Sequence, residues 1–514
     1  MEARPKCPAQ KFTFAVIGGG FTGTTLGAQL VRHTDPSCSV VVIERMGLPG
    51  RGLAYGTGSD SHLLNVPAKD MSAFPEDQEH FLRWAKSNYD RDVEPCRFLP
   101  RKAYGRYLGA ILSEAVLSGG KRRLCWRRDE ARALAPTCTG EIEIRLRSGT
   151  RVLADKIILA LGNFPSSDPS LPGRALANSP RSSSNPYFSN PWSDTSFEGV
   201  EHLGSILLLG SGLSSLDVAV ELRHRGFAGT IHILSRRGLL PQSHRWHGPW
   251  PNFWNERSPK GVRGLLRLIR EQVNAAEQRG VDWRGVINSL RPVTAQIWQS
   301  LPEPEKRRFL RHLQPYWDVH RHRAAPEIAQ FVDEQRSHGK IQLHAGRITS
   351  YRENGSRVEI SYNQRKTGEE VGFVVDRIIN CTAPETDCRR LQDPLMTALL
   401  AEGRVRPDPL FLGLDSSVDG ALIDQHGIIS DSLYAVGSVR KGTLWESTAV
   451  PEIREQVYRL VQHLVGTSGQ THDIRQDPGR EESRPTTMAR KSALPNPEIS
   501  IEPMPIARID LEVG

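Results

Sequence analysis

No C-x-x-C pair occurs in the 514 residues, and there are only seven cysteines: Cys7, Cys38, Cys96, Cys125, Cys138, Cys381 and Cys388. Their scatter and odd number exclude a disulfide framework, and the missing C-x-x-C excludes a dithiol–disulfide reductase. Reduced thiols of a cytoplasmic protein are the expectation. No run of about eighteen apolar residues is present, so no membrane-spanning helix is expected. The opening MEARPKCPAQ has no apolar stretch, which predicts no secretory signal. A net charge of +9 raises nucleic acid as a partner, but the arginines are dispersed and no aromatic-interleaved basic platform accompanies them. Anionic cofactors and substrates account for the basic balance equally well.

What is present begins at residues 12–44, FTFAVIGGGFTGTTLGAQLVRHTDPSCSVVVIE. A β-branched and aromatic run ends in glycines, a helical pattern of small and apolar residues follows, and a second apolar run closes the unit. This predicts strand, turn, helix, strand. Gly18, Gly20 and Gly23 hold the G-x-G-x-x-G spacing. The first glycine permits the tight turn, the second lets the backbone approach a pyrophosphate, and the third lets helix pack on strand. Glu44 stands where an acid takes a ribose hydroxyl.

Residues 45–110 read as loops and helical stretches, followed by a hairpin-type excursion that returns to a central strand at 156–160, ending at Gly162. A Pro-, Ser- and Asn-rich stretch from 164 to 200 reads as a crossing between domains. A second unit, SILLLGSGLSSLDVAVELRHRG, then repeats the motif with Gly210, Gly212 and, at the third position, Ser215. Two such motifs imply two nucleotides. After the next strand the acid is replaced by Ser235, Arg236 and Arg237; cationic side chains there match a 2′-phosphate, favouring NADP over NAD. A mostly helical insertion spans 240–335, β alternation resumes from 341, and a late strand ends at Gly437 before a closing helix. Gly437 would let the backbone approach a flavin, and Thr448, Ala449 and Val450 at the helix start are candidate flavin contacts.

The expected architecture is therefore α/β, with two Rossmann-like dinucleotide-binding domains and a helical insertion. Residues 1–11 are read as an extension, 12–200 and 376–466 as a split FAD-binding domain, 201–375 as the NAD(P)-binding domain, and 467–514 as a disordered tail.

The stretches GLAYGTGSDSHLLNVPAKDMSAFPEDQEHFLRW, FLPRKAYGRYL, GSGLSSLD, WDVHRHRAAP and LYAVGSVRKGTLWESTAVPEIR together resemble the bacterial FAD/NAD(P)-binding family that includes FAD-dependent urate hydroxylase and an aspartate N-hydroxylating monooxygenase. The resemblance covers residues 12–465. It implies FAD in the first domain, NADP or NAD in the second, and insertion of one oxygen atom into a small polar substrate through a C4a-hydroperoxyflavin. Urate-like purines and amino acid nitrogens are both open. A reductase or oxidase without oxygen insertion, and a non-catalytic flavin-binding regulator, are the alternatives. Asn65, Pro67 and Met71 lie in a loop of the type that covers the flavin ring in related enzymes, with Asn65 and Met71 the catalytic candidates. Arg101 and Tyr104 are candidates for an anionic cofactor or substrate. His320, Arg321, His322 and Arg323 point to several sides of a helix, which suits no metal. They read either as a solvated basic face or as an anion clamp. Trp445 and Glu446 line a substrate pocket or pack a core.

Overall fold

The computed structural model describes residues 12–46, 48–119, 123–174 and 186–474. Its first sheet runs, from one edge to the other, Ala421–Ile423, Ile429–Ala435, Lys156–Leu159, Thr13–Ile17, Ser39–Glu44 and Leu124–Arg128. Only the outermost pair, Ala421–Ile423 with Ile429–Ala435, is antiparallel. The second sheet runs Glu370–Val375, Arg357–Gln364, Ile341–Asn354, Thr230–Ser235, Ser205–Leu209, Arg377–Asn380 and Tyr187–Phe188, parallel except for its first three strands.

Side-chain patterning explains the split between parallel and antiparallel strands. Strands covered by helices on both faces are apolar almost throughout: Thr13–Ile17 and Ser205–Leu209 each bury every residue after the first. Arg357–Gln364 instead alternates, burying Val358, Ile360 and Tyr362 on one face while Arg357 and Asn363 stay in solvent. A three-stranded antiparallel sheet, Ala131–Pro136, Ile142–Leu146 and Arg151–Ala154, forms the predicted excursion. Its Ile142 and Ile144 share a core with Ala15, Ile17 and the Leu395–Met396 helix.

The late strand Ile429–Ala435 pairs with Lys156–Leu159, so the first domain is built from both ends of the described chain. One boundary differs from the sequence expectation. Arg377–Asn380 pairs with Ser205–Leu209 and Tyr187–Phe188, so the second domain takes a short strand from before 200 and another from beyond 375. A two-residue edge strand inside a Pro/Ser/Asn-rich segment carries no periodic signal, and Arg377–Asn380 looks like any short apolar run. Six helices between Val262 and Ser337 form the insertion. The closing helix, Val450–Ile474, continues past 466; residues 1–11 and the tail beyond 474 lie outside the described residues. None of the described helices is long and apolar enough to cross a membrane, and the described cysteines are all unbridged.

The second sheet carries a pair of imidazoles, one buried and one half-buried. His232 Nδ1 and His344 Nε2 are 3.0 Å apart, and His232 stacks on Phe373 with ring centroids 4.5 Å apart. Burial, then the adjacent His344, pull His232 down to about 4. Between that value and the unfolded one, near 6.5, the unfolded chain binds more protons, so stability is full above the unfolded value and is lost as pH falls toward about 4. Urea denaturation should show a loss on the order of 2 kcal/mol over that window. In His232→Phe the slope should be shallower; an unchanged slope would remove His232 as its source.

Candidate functional site

The two glycine turns have the same geometry. Gly18 has φ +104°, its N–H donates to Ile43 O at 2.8 Å, and a Cβ there would lie 2.3 Å from Ala160 O. Gly210 has φ +103°, donates to Leu234 O at 2.9 Å, and its Cβ would lie 2.6 Å from Cys381 O. In each case the turn presses against the end of the neighbouring central strand, where only glycine fits. Gly23 packs its helix onto the turn, since a Cβ there would be 1.8 Å from Gly18 O. Ser215 fills the equivalent place, fully buried, with its hydroxyl donating to Gly212 O at 2.7 Å.

Gly20 caps the helix Phe21–His33 and Gly212 caps Leu213–His224; neither helix start has a side-chain cap or an acidic residue in its first turn. Unpartnered N–H groups and the positive end of the helix dipole are thus left for an anion at two places. Each start opens on a cavity. The first, about 570 Å³, is lined by Gly18, Gly20, Thr22 and Glu44. The second, about 1070 Å³, is lined by Gly210, Gly212, Ser235 and Arg236. Gly162, Asn163, Ser214, Thr382, Ser438 and Thr448 line both, so the cavities meet at a shared wall.

Glu44 is 6% exposed and accepts from Gly19 N and Met46 N, both at 2.6 Å. It therefore braces the turn as well as facing the first cavity. Gly162 has φ +67° with open space at its Cβ position, and its carbonyl accepts from Ser438 Oγ at 2.5 Å. Gly437, φ +87°, brings the late strand against the first motif, its Cβ position 3.2 Å from Thr22 Oγ1. Thr448 and Val450 line the first cavity; Ala449 does not, and its carbonyl instead accepts from Ile453 N at 3.0 Å to begin the closing helix. That helix carries Glu452 in its first turn, bound by Arg291 and Arg321.

Arg236 lines the second cavity with Arg347, from the strand Ile341–Asn354. Arg347 has no motif to announce it, and only the parallel pairing of Thr230–Ser235 with Ile341–Asn354 brings the two together. Arg237 turns away, donating to Arg311 O at 3.1 Å. Arg101 lines the first cavity, and its guanidinium sits 2.7 Å from the buried Asp217 of the second motif's helix.

The other candidates, His322 apart, lie off both cavity walls. Met71 is 2% exposed and packs in the first domain's core, as an apolar side chain without a polar atom to satisfy would. Tyr104 is fully buried among Phe21, Tyr55 and Phe81, and burial holds its phenol well above the usual range. Trp445 stacks on Trp298 at 4.8 Å and meets Phe309 edge-on, so it joins the insertion's core rather than a pocket. Pro67 caps a short turn of 3-10 helix. Asn65 accepts at its backbone carbonyl from His244 Nε2, 2.9 Å away. Arg321 and Arg323 are buried, 7% and 3% exposed, which excludes the solvated-face reading. His320 donates to Tyr316 O at 2.7 Å and meets Trp283 edge-on, whereas His322 lines the second cavity. Among the described residues there is no group of three potential metal ligands.

Residues 15–164 match the model of a family described as FAD-NAD(P)-binding. No curated protein matches in sequence. Solved structures match over most of the chain. One is the FAD-bound cadaverine monooxygenase of desferrioxamine biosynthesis from Erwinia amylovora, with 15% identity, 88% of this chain and 94% of that one covered, and a TM-score of 0.60. The ornithine N-hydroxylase of Kutzneria sp. 744 has 12% identity, 89% and 100% coverage, and a TM-score of 0.60. L-lysine 6-monooxygenase from Pseudomonas syringae has 16% identity, 88% and 98% coverage, and a TM-score of 0.57. At these identities the likeness is one of fold.

Proposed function

We propose that the chain is an FAD-dependent monooxygenase that draws electrons from NADPH and inserts one oxygen atom into a small polar substrate, an amino acid or amine nitrogen or a urate-like purine. The observation that carries this reading is the pair of uncapped, acid-free helix starts opening on two cavities that share one wall. An enzyme that passes hydride from one nucleotide to another needs both bound with their reactive rings in contact. The fold neighbours, monooxygenases of cadaverine and lysine and an N-hydroxylase of ornithine, support the same reaction class.

The residues present fit the two cofactors. Gly18 and Gly20 leave a cradle that a Cβ would fill, the Phe21–His33 helix start would hold the FAD pyrophosphate, and Glu44 would take its ribose. Gly210, Gly212 and the Leu213–His224 start would hold the pyrophosphate of NADPH, with Arg236 and Arg347 on its 2′-phosphate. When bound, FAD supplies the hydride acceptor and the activation of dioxygen. The chain would contribute orientation and exclusion of water: the shared wall would bring the two bound rings together, and Thr448 lines both cavities where they meet.

Anaerobic mixing of the yellow holoprotein with each nucleotide tests the reading. NADPH should bleach the flavin, and faster than NADH; no bleaching by either would overturn it. Arg236→Ala should raise the KM for NADPH about tenfold or more, the scale of a lost charge-assisted hydrogen bond, and leave NADH unaffected. Equal effects on both nucleotides would place Arg236 away from the 2′-phosphate.

A further inference from the structure

Among the described residues only two other than glycine have positive φ, Phe411 and Trp445. Trp445 has φ +61° and ψ −68°, and Glu446 N donates across it to Leu444 O at 2.8 Å. Those angles with a hydrogen bond between residues two apart make a γ-turn of the rare, strained kind, and a bulky side chain at its centre makes it costlier. Such a conformation persists only where its surroundings over-determine it.

The surroundings belong to the helical insertion. Trp445 is 5% exposed, stacks on Trp298 with ring centroids 4.8 Å apart, and meets Phe309 edge-on at 5.0 Å. Trp298 also donates from Nε1 to Gly442 O at 2.7 Å, which fixes the chain ahead of the turn. Behind the turn, Trp317 Nε1 donates to Glu446 Oε1 at 2.9 Å, Arg321 lies 3.5 Å from Glu446, and Ser447 is fully buried. Farther on, Arg321 and Arg291 bind Glu452 in the first turn of the closing helix. Thr448 therefore lies between two anchored points. It is exposed, and it lines both cavities where they meet.

We propose that Trp445 is a positioning residue: clamped by Trp298 and Phe309, it holds the strained turn that sets Thr448 at the wall shared by the two cavities. This rests on the reading that two nucleotides meet at that wall, and it names what fixes the wall in place. The tryptophan serves the backbone and touches neither cavity. Without its aromatic clamp an L residue at this position relaxes to negative φ and carries Thr448 with it, whereas glycine adopts positive φ freely and needs no clamp.

Trp445→Gly compared with Trp445→Ala separates backbone from packing, because both remove the same stack and only glycine tolerates the turn. The observables are the visible circular dichroism of the bound flavin and the limiting rate of its anaerobic bleaching at saturating NADPH. Trp445→Gly should bleach about 10- to 100-fold faster than Trp445→Ala, the scale of a misplacement of about 1 Å near reacting atoms. Its dichroism should also lie nearer that of the wild type. Trp298→Leu strips the clamp and leaves Trp445 in place, so it should slow bleaching, and adding Trp445→Gly to it should recover part of the rate. This second pair decides the matter if Trp445→Ala does not fold. Equal rates and dichroism in the glycine and alanine variants, or no recovery in the double variant, would overturn the assignment. Failure of the monooxygenase reading is separable: it appears in the wild-type protein as a flavin that NADPH does not bleach, and the dichroism comparison still tests the turn.

Discussion

Gly210→Ala is expected to yield a yellow protein that has lost use of NADPH by a factor of about 100 or more, whereas Gly18→Ala should yield a colourless one. Both substitutions force a Cβ into a residue at φ above +100° and against a carbonyl oxygen, 2.6 Å away at Gly210 and 2.3 Å at Gly18. The backbone strain costs on the order of 1–3 kcal/mol, and the overpacking adds about 1–3 kcal/mol. The turn must then shift, and the helix start it positions shifts with it. Two to four kcal/mol lost from nucleotide binding is about 30- to 1000-fold. Because each turn serves its own cavity, the two variants should separate: absorbance reports flavin content and NADPH oxidation reports the second site. Loss of flavin in Gly210→Ala with NADPH use intact in Gly18→Ala would reverse the assignment of the domains.

Arg101→Met should destabilise the protein by about 3–5 kcal/mol, the cost of leaving one partner of a buried ion pair uncompensated. Arg101, on the first domain's helix Arg101–Gly119, reaches 2.7 Å to Asp217 on the second domain's helix Leu213–His224. The side chains are 18% and 6% exposed. Burial pushes the Asp217 carboxyl up even though Arg101 opposes it, so removal of the cation leaves an acid that is costly to ionise. His62 Nε2, 3.8 Å from Glu221, and Ser59, which donates to Glu221, extend the link between domains. Chemical denaturation of Arg101→Met against the double variant Arg101→Met with Asp217→Leu checks the cause: the second change should restore much of the loss, since an apolar pair of similar volume replaces a buried ion pair at little cost. Equal stability of wild type and the single variant would show that the pair is solvated.

The parts of this molecule set by local chemistry were legible in the sequence. The two glycine turns announce themselves because φ near +104° and a carbonyl at the Cβ position admit nothing else, and those constraints leave a spacing. Continuous apolar runs marked the parallel strands. What depended on packing between distant segments was not legible. Trp445 reads alike as a pocket wall or a core residue, and only its stack on Trp298 decides. Met71 and Tyr104 sit in helical or loop patterns that carry no sign of which way the side chain turns. Arg347 reaches the second cavity through sheet pairing, and the different partners of Arg321 and Arg323, Glu452 and Asn288, are a property of the neighbours rather than of the arginines. Asp217 lies within the second glycine motif itself, yet its partner is more than a hundred residues earlier.

Turnover under oxygen-18 gas with NADPH and the tightest-binding amino acid, amine or purine tests the central claim most directly. The account predicts a hydroxylated product carrying one oxygen-18 atom, formed in step with NADPH consumed. NADPH consumption that yields only hydrogen peroxide or water with every amino acid, amine and urate tried, and no labelled product, would contradict it and leave an oxidase in its place.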